Sequence, residues 1–188
     1  MFIFDIEIAN PIPPENGQLV PGIKYSRGWN YPATMDIACI CVYDYVTDTY
    51  RVFGEFELED FQSFIDRQDI SVGFNNIRFD NTVLRACDIK ISDSNSYDIL
   101  AEIYNALKSR PKGCKLENVI KANFSTPPTK TIDPAEAPIL WQRGHHTKVI
   151  DYCLNDVKMT KMIFDKIIRS GSIRNPINPE QSLKLKRP

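Results

Sequence analysis

The first eight residues, Met1-Phe-Ile-Phe-Asp-Ile-Glu-Ile8, constrain the fold more than any other stretch of this chain. Phe2, Phe4, Ile6 and Ile8 alternate with Met1, Ile3, Asp5 and Glu7, the period of two that marks a β-strand. Successive strand side chains point to opposite faces, so Asp5 and Glu7 emerge together on one face while the other face is wholly apolar. Carboxylates in a segment otherwise suited to a sheet interior are costly unless they are paired or bind metal. The strand alone leaves two alternatives: an edge strand whose acidic face meets water, or a strand whose carboxylates find partners further along the chain.

With 188 residues the chain is expected to form one domain with a substantial core. Charged residues at 25% and hydrophobic ones at 43% suit a soluble globular protein. No apolar run reaches the roughly 18 residues of a transmembrane helix, so no membrane partner is expected. With a strand carrying two acids directly after Met1, no secretory signal peptide is expected. The five cysteines, at positions 39, 41, 87, 114 and 153, are odd in number and scattered. Cys39 and Cys41 have the wrong spacing for a zinc knuckle and lie in a strand-like run, where free cysteine behaves as a small hydrophobe. A reducing cytoplasm is the expected location.

The net charge of −1 conceals a segregation. Residues 1–107 hold 7 Lys/Arg against 17 Asp/Glu, whereas residues 108–188 hold 16 against 7. Unless folding interleaves the halves, this predicts a polyanionic partner for the second, held beside an acidic site in the first.

After the first strand, Ala9–Thr34 carries prolines at 11, 13, 14, 21 and 32 and is expected to be a long loop. Its Lys24, Tyr25, Arg27, Trp29 and Tyr31 interleave cations with aromatics, a composition suited either to stacking on unpaired bases or to pinning the loop to the body. Met35–Val46 and Thr49–Phe56 read as two strands around a turn at Thr47 and Asp48, antiparallel to the first. Apolar spacing predicts a helix over Glu57–Arg67, and Ile70–Phe74 reads as a short strand. Short helices are expected at Asn81–Cys87 and Leu116–Ala122, and a longer one over Tyr97–Lys108 capped by Ser96, with Asp98 in its first turn. Ser125–Leu140 reads as a second loop, followed by a helix capped by Thr147 and running to about Arg169. The segment 171–188, with three prolines and a basic end, is expected to be a mobile tail on a domain spanning 1–170. The order of elements predicts an α/β class: a mixed β-sheet flanked by α-helices.

Two further segments supply partners for Asp5 and Glu7. Gly73–Asp80 places a carboxylate just past a short strand, at the opening of a helix, where ligands of α/β sheets gather. Tyr152 and Asp156, four residues apart on the last helix, share one face. Phe4–Glu7, Asn75–Asp80 and Tyr152–Asp156 together resemble, in this order, the three motifs of the DEDD-superfamily 3′→5′ exonucleases. The tyrosine subclass, and in particular the proofreading domains of family-B DNA polymerases, is the nearest in pattern. The resemblance spans roughly residues 1–168 and excludes the Ala9–Thr34 loop and the tail.

The resemblance implies a ribonuclease H-like fold and metal-dependent 3′→5′ hydrolysis of single-stranded nucleic acid to nucleoside monophosphates, with DNA favoured and RNA possible as substrate. It implies two divalent cations, Mg²⁺ or Mn²⁺, held by Asp5, Glu7, Asp80 and Asp156, with Asp5 bridging both. Tyr152 would orient the attacking water, since a phenol with a pKa of about 10 is a poor base at neutral pH. Asn75 and Phe79 are candidate nucleic-acid contacts, with a turn cap and a core ring as their alternatives. Asp98 is either a helix-start residue or a support for the site. A sister subclass carries histidine five residues before the last aspartate, a place held here by Asp151; His145 and His146 are expected in an exposed loop. A nucleic-acid-binding module that has lost catalysis, or an endonuclease on the same fold, is the alternative reading. A protein partner that recruits the domain to DNA is also compatible with the sequence.

Overall fold

A computed structural model describes residues 1–129 and 132–188. β1 (Phe2–Ile8) lies in the middle of a five-stranded sheet of order β3-β2-β1-β4-β5, so its acids do not sit on an edge. β2 (Ile37–Asp44) pairs antiparallel with β1, and β3 (Thr49–Gly54) antiparallel with β2. β4 (Ser71–Gly73) and β5 (Ser96–Asp98) run parallel to β1 and to each other. Every residue of β2 is buried, which explains its continuous apolar run: both of its faces are covered. β3 carries exposed Thr49, Tyr50 and Arg51, as an edge strand should. This mixed sheet with helices on both sides is an α/β architecture compatible with the ribonuclease H-like fold.

The alternation of β1 sorts the core into two layers. Phe2, Phe4, Ile6 and Ile8 face a cluster with α1 (Leu58–Ile65) and α2 (Asp80–Ala86), in which Phe2, Phe53, Phe61 and Phe64 pack ring on ring. Ile3 faces the larger cluster, made with α3 (Ile99–Leu107), α4 (Leu116–Asn123), α5 (Ala137–Gln142) and the 25-residue α6 (His146–Ser170). Buried apolar area of this kind contributes about 25 cal/mol per Å². Among the described residues no helix is long and apolar enough to cross a membrane.

Four expectations are corrected. Residues 96–98 form strand β5 rather than the start of a helix, and the cap of α3 is Asp98, whose side chain accepts the Leu100 and Ala101 N–H groups. α5 begins inside the expected Ser125–Leu140 loop, of which Lys130 and Thr131 fall outside the described residues, and runs past its end. Thr147 does not cap α6, because His145 holds that position and His146 packs its ring on Trp141 at 4.2 Å. The segment after Gly171 is a hairpin, β6 (Ser172–Arg174) with β7 (Ser182–Lys184), whose Ile173, Leu183 and Leu185 enter the larger core.

The long loop is held in place by α5. Gln142 donates from its side-chain amide to the carbonyls of Ala9 at 2.9 Å and Lys24 at 2.7 Å, and accepts the Lys24 N–H at 2.8 Å. Within the loop, Arg27 lies over the Tyr31 ring at 4.1 Å, and one 3₁₀ turn forms at Pro32–Thr34.

Candidate active site

β4 pairs with β1 only at Phe2 and Ile3, so β1 continues past the end of its neighbour. The even residues of β1 aim their N–H groups towards β4, as the bond from Phe2 to the Ile70 carbonyl shows. Beyond the end of β4, the Ile6 N–H instead meets the Asp80 carboxylate at 3.2 Å. The first residue of α2 thus takes the place of a ladder partner, and Asp80 becomes buried beside the strand that carries Asp5 and Glu7.

The loop from β4 to α2 follows a tight path. Asn75 has φ +68°, a left-handed conformation that asparagine tolerates better than most residues. Its N–H donates to Asp98 at 2.9 Å, its carbonyl accepts the Phe79 N–H at 3.1 Å, and the Ile77 N–H reaches the other Asp98 oxygen at 3.3 Å. Asp98 therefore caps α3 and fixes the loop that delivers Asp80. The side chain of Asn76, fully buried, packs against Gly73 so closely that a Cβ there would meet the Asn76 Cβ at 2.5 Å.

From the other side of the sheet, α6 supplies Tyr152 and Asp156, both buried and hydrogen-bonded to each other. Two thiols fix the helix against the strands. Cys153 donates to the Asp5 carbonyl at 3.4 Å and Cys41 to the Ile150 carbonyl at 3.8 Å. Cys39 and Cys41 oppose Glu7 and Asp5 across the β1–β2 ladder, and with Cys153 their sulfurs lie within 4.8 Å of one another. All three are fully buried and free of disulfides, and burial holds the Cys153 thiol well above its usual range. Cys39 and Cys41 thus lie beside Asp5 and Glu7 on the face of the sheet that α6 covers.

The electrostatics tie the acidic residues into one cluster. Burial, with the nearby Asp98 and Asp156 carboxylates, pushes the Asp80 carboxyl up to about 7 against two opposing backbone hydrogen bonds. Burial, followed by Asp156, Glu7 and Asp5, drives the Tyr152 hydroxyl far above its ordinary value. Tyr152 thus lies within electrostatic reach of Asp156, Glu7 and Asp5, and Asp80 within reach of Asp156, while among the described residues the group of ligand atoms within 4.8 Å of one another is that of the three cysteines. Asp151 is exposed on α6. Phe79, half-buried against the smaller core, meets Trp29 of the long loop edge-to-face at 5.9 Å, while Trp29 itself is 69% exposed. Sequence reading missed Gly73, Gln142 and the Cys153 thiol; only Cys39 and Cys41, two apart on a strand, signalled a shared face. In comparisons with known proteins, no family model matches the chain and no curated protein matches it significantly.

Proposed function

We propose that this chain is a metal-dependent 3′→5′ exonuclease that shortens single-stranded nucleic acid, DNA favoured over RNA, to nucleoside monophosphates in a reducing, cytoplasmic setting. The observation that carries the reading is the convergence of Asp5, Glu7, Asp80, Tyr152 and Asp156, from three separate segments, at the end of β4. The donor set fits hard divalent cations. It consists of carboxylate oxygens, and Asp80 is raised to about 7 chiefly by burial and then by the Asp98 and Asp156 carboxylates, so that it favours either a proton or a cation. Asp5, Glu7, Asp80 and Asp156 would hold two Mg²⁺ or Mn²⁺ ions, which when bound activate water and neutralise the phosphate and the leaving 3′-oxygen.

The protein's own part is positioning. The β1 ladder and the Cys153 thiol fix the backbone of Asp5, and α6 fixes Asp156 one turn from Tyr152. Tyr152 stays protonated at neutral pH, so it orients a water by hydrogen bonding and does not remove its proton.

The test is a 5′-labelled single-stranded oligonucleotide, in DNA and RNA versions, followed on a gel with Mg²⁺ and then Mn²⁺, beside a covalently closed circle. A descending ladder with an untouched circle is expected. Cleavage of the circle, or mononucleotides released first from the 5′ end, would overturn the reading.

A further inference from the structure

Outside the carboxylate cluster, a cavity of about 350 Å³ opens along one flank of α3. Its half-buried lining is apolar and aromatic: Leu100, Ala101 and the ring of Tyr104. Its exposed lining is cationic: Arg78 from the β4–α2 loop, and Lys108 and Arg110 from the end of α3 and the turn beyond it. Asn75 and Asn105 add amides. Among the described residues none of the three cations forms an ion pair. The one carboxylate in the lining, Asp98, is buried and engaged by the backbone N–H groups of Asn75, Ile77, Leu100 and Ala101. Lys108 also suits the negative end of α3, but that role gives no reason for Arg78 and Arg110 to gather beside it.

The cavity adjoins the candidate site through six consecutive residues. Asn75 and Arg78 line the groove, Phe79 meets Trp29, and Asp80 joins β1. The groove therefore shares the β4–α2 loop with the candidate site. Cations that track a backbone, combined with a ring on which a base can stack, characterise sites for unpaired strands. In a duplex the base faces are already stacked. Arg110, 5.9 Å from the Tyr104 ring centroid, widens the stacking surface.

We infer that this groove holds the single strand on the 5′ side of the scissile phosphate. Arg78, Lys108 and Arg110 pair with backbone phosphates and Tyr104 receives a base. The direction of the strand rests on the exonuclease reading; the affinity of the groove does not.

The experiment separates the two. Binding of a 5′-fluorescein-labelled single-stranded DNA oligonucleotide is measured by fluorescence anisotropy in chelator, across a salt series, for the wild-type chain and the Arg78→Gln/Lys108→Gln/Arg110→Gln variant. Each phosphate contact contributes about 0.7 to the slope of log affinity against log salt for a single strand, so the triple variant should lose about 2 in slope and at least about tenfold in affinity. Tyr104→Leu should weaken binding with little change in slope. Arg67→Gln, just past α1 on the opposite layer, should change neither quantity. An unaltered melting temperature of the triple variant shows that the fold is kept. The groove is disproved if the triple variant binds like wild type, or if the wild-type chain binds duplex DNA or heparin but not the single strand. Reduced slope without shortening of the oligonucleotide in Mg²⁺ would leave the groove standing and remove the exonuclease reading. Shortening with unchanged slope would do the reverse.

Discussion

Tyr152 is the side chain whose role its surroundings constrain most. A buried phenol bonded to a carboxylate and facing two more cannot ionise near neutral pH, so its contribution is to hold and orient. Tyr152→Phe should lower turnover by about 10- to 1,000-fold, in the range for one positioned catalytic group, while Mn²⁺ binding by calorimetry stays near wild type. Asp5→Ala should abolish hydrolysis without unfolding the chain, and relief of like-charge repulsion should keep the metal-free melting temperature equal or higher. Wild-type turnover of Asp5→Ala at saturating Mg²⁺ would end the assignment.

Asp80 makes a separate, pH-dependent prediction. Its folded pKa is raised to about 7, so between the unfolded value near 4 and about 7 the folded chain holds a proton that the unfolded chain has lost. Stability in chelator should therefore fall as pH rises through that window, by on the order of 2–4 kcal/mol, and level off above it. Asp98, raised mainly by burial, adds in the same direction, whereas the lowered Asp44 and Asp93 act only below the window. Urea melts from pH 4 to 8 check this. The decline should flatten in Asp80→Asn, and Mn²⁺ should stabilise the wild type most above pH 7.

Among the secondary-structure elements, the β4–α2 connection is the most exacting. Gly73→Ala would drive a methyl group into the buried Asn76 side chain, and overpacking of this kind costs about 1–3 kcal/mol. Because the same loop carries Asp80, activity should drop further than the loss of folded protein explains, which chemical denaturation beside initial rates would reveal. This loop also marks the limit of what the sequence discloses. β1, the β2–β3 pair, α1 and α6 are legible from periodicity, and the carboxylates from their motifs. β5 is not, because Ser96, Tyr97 and Asp98 are too few to show a period and become a strand only through pairing with β4. The hold of Asp98 on residues 75 and 77 is invisible for the same reason: it depends on backbone amides more than twenty residues away.

For the molecule as a whole, the hairpin after α6 changes what counts as the domain. Ser172–Arg174 and Ser182–Lys184 alternate over three residues each, too briefly to stand out among prolines and lysines, so the core role of this segment emerges only in three dimensions. Tyr97 donates to the Lys186 carbonyl at 2.6 Å, and Asn123 brackets the backbone of Arg174 from both sides. Ile173→Ala, at a position 1% exposed, should cost about 2–4 kcal/mol in a denaturant titration. A loss below about 0.5 kcal/mol, the range of ordinary surface substitutions, would return the segment to the status of a loose tail.

The thiol contact between Cys153 and the Asp5 carbonyl joins residues 148 apart in sequence. Closing so long a span adds little entropy cost beyond that of a shorter one, but contacts of this range slow folding. The two halves of the acidic cluster meet only through contacts of this range. Asp5 and Glu7 can be in their strand, with β2 and β4 already paired, while Tyr152 and Asp156 are still undocked. A cut anywhere between α4 and α6 would break the covalent link between the carboxylates without altering one of them, and a fragment ending before His146 would lack Tyr152, Asp156 and the α6 and hairpin side chains that cover one face of the sheet.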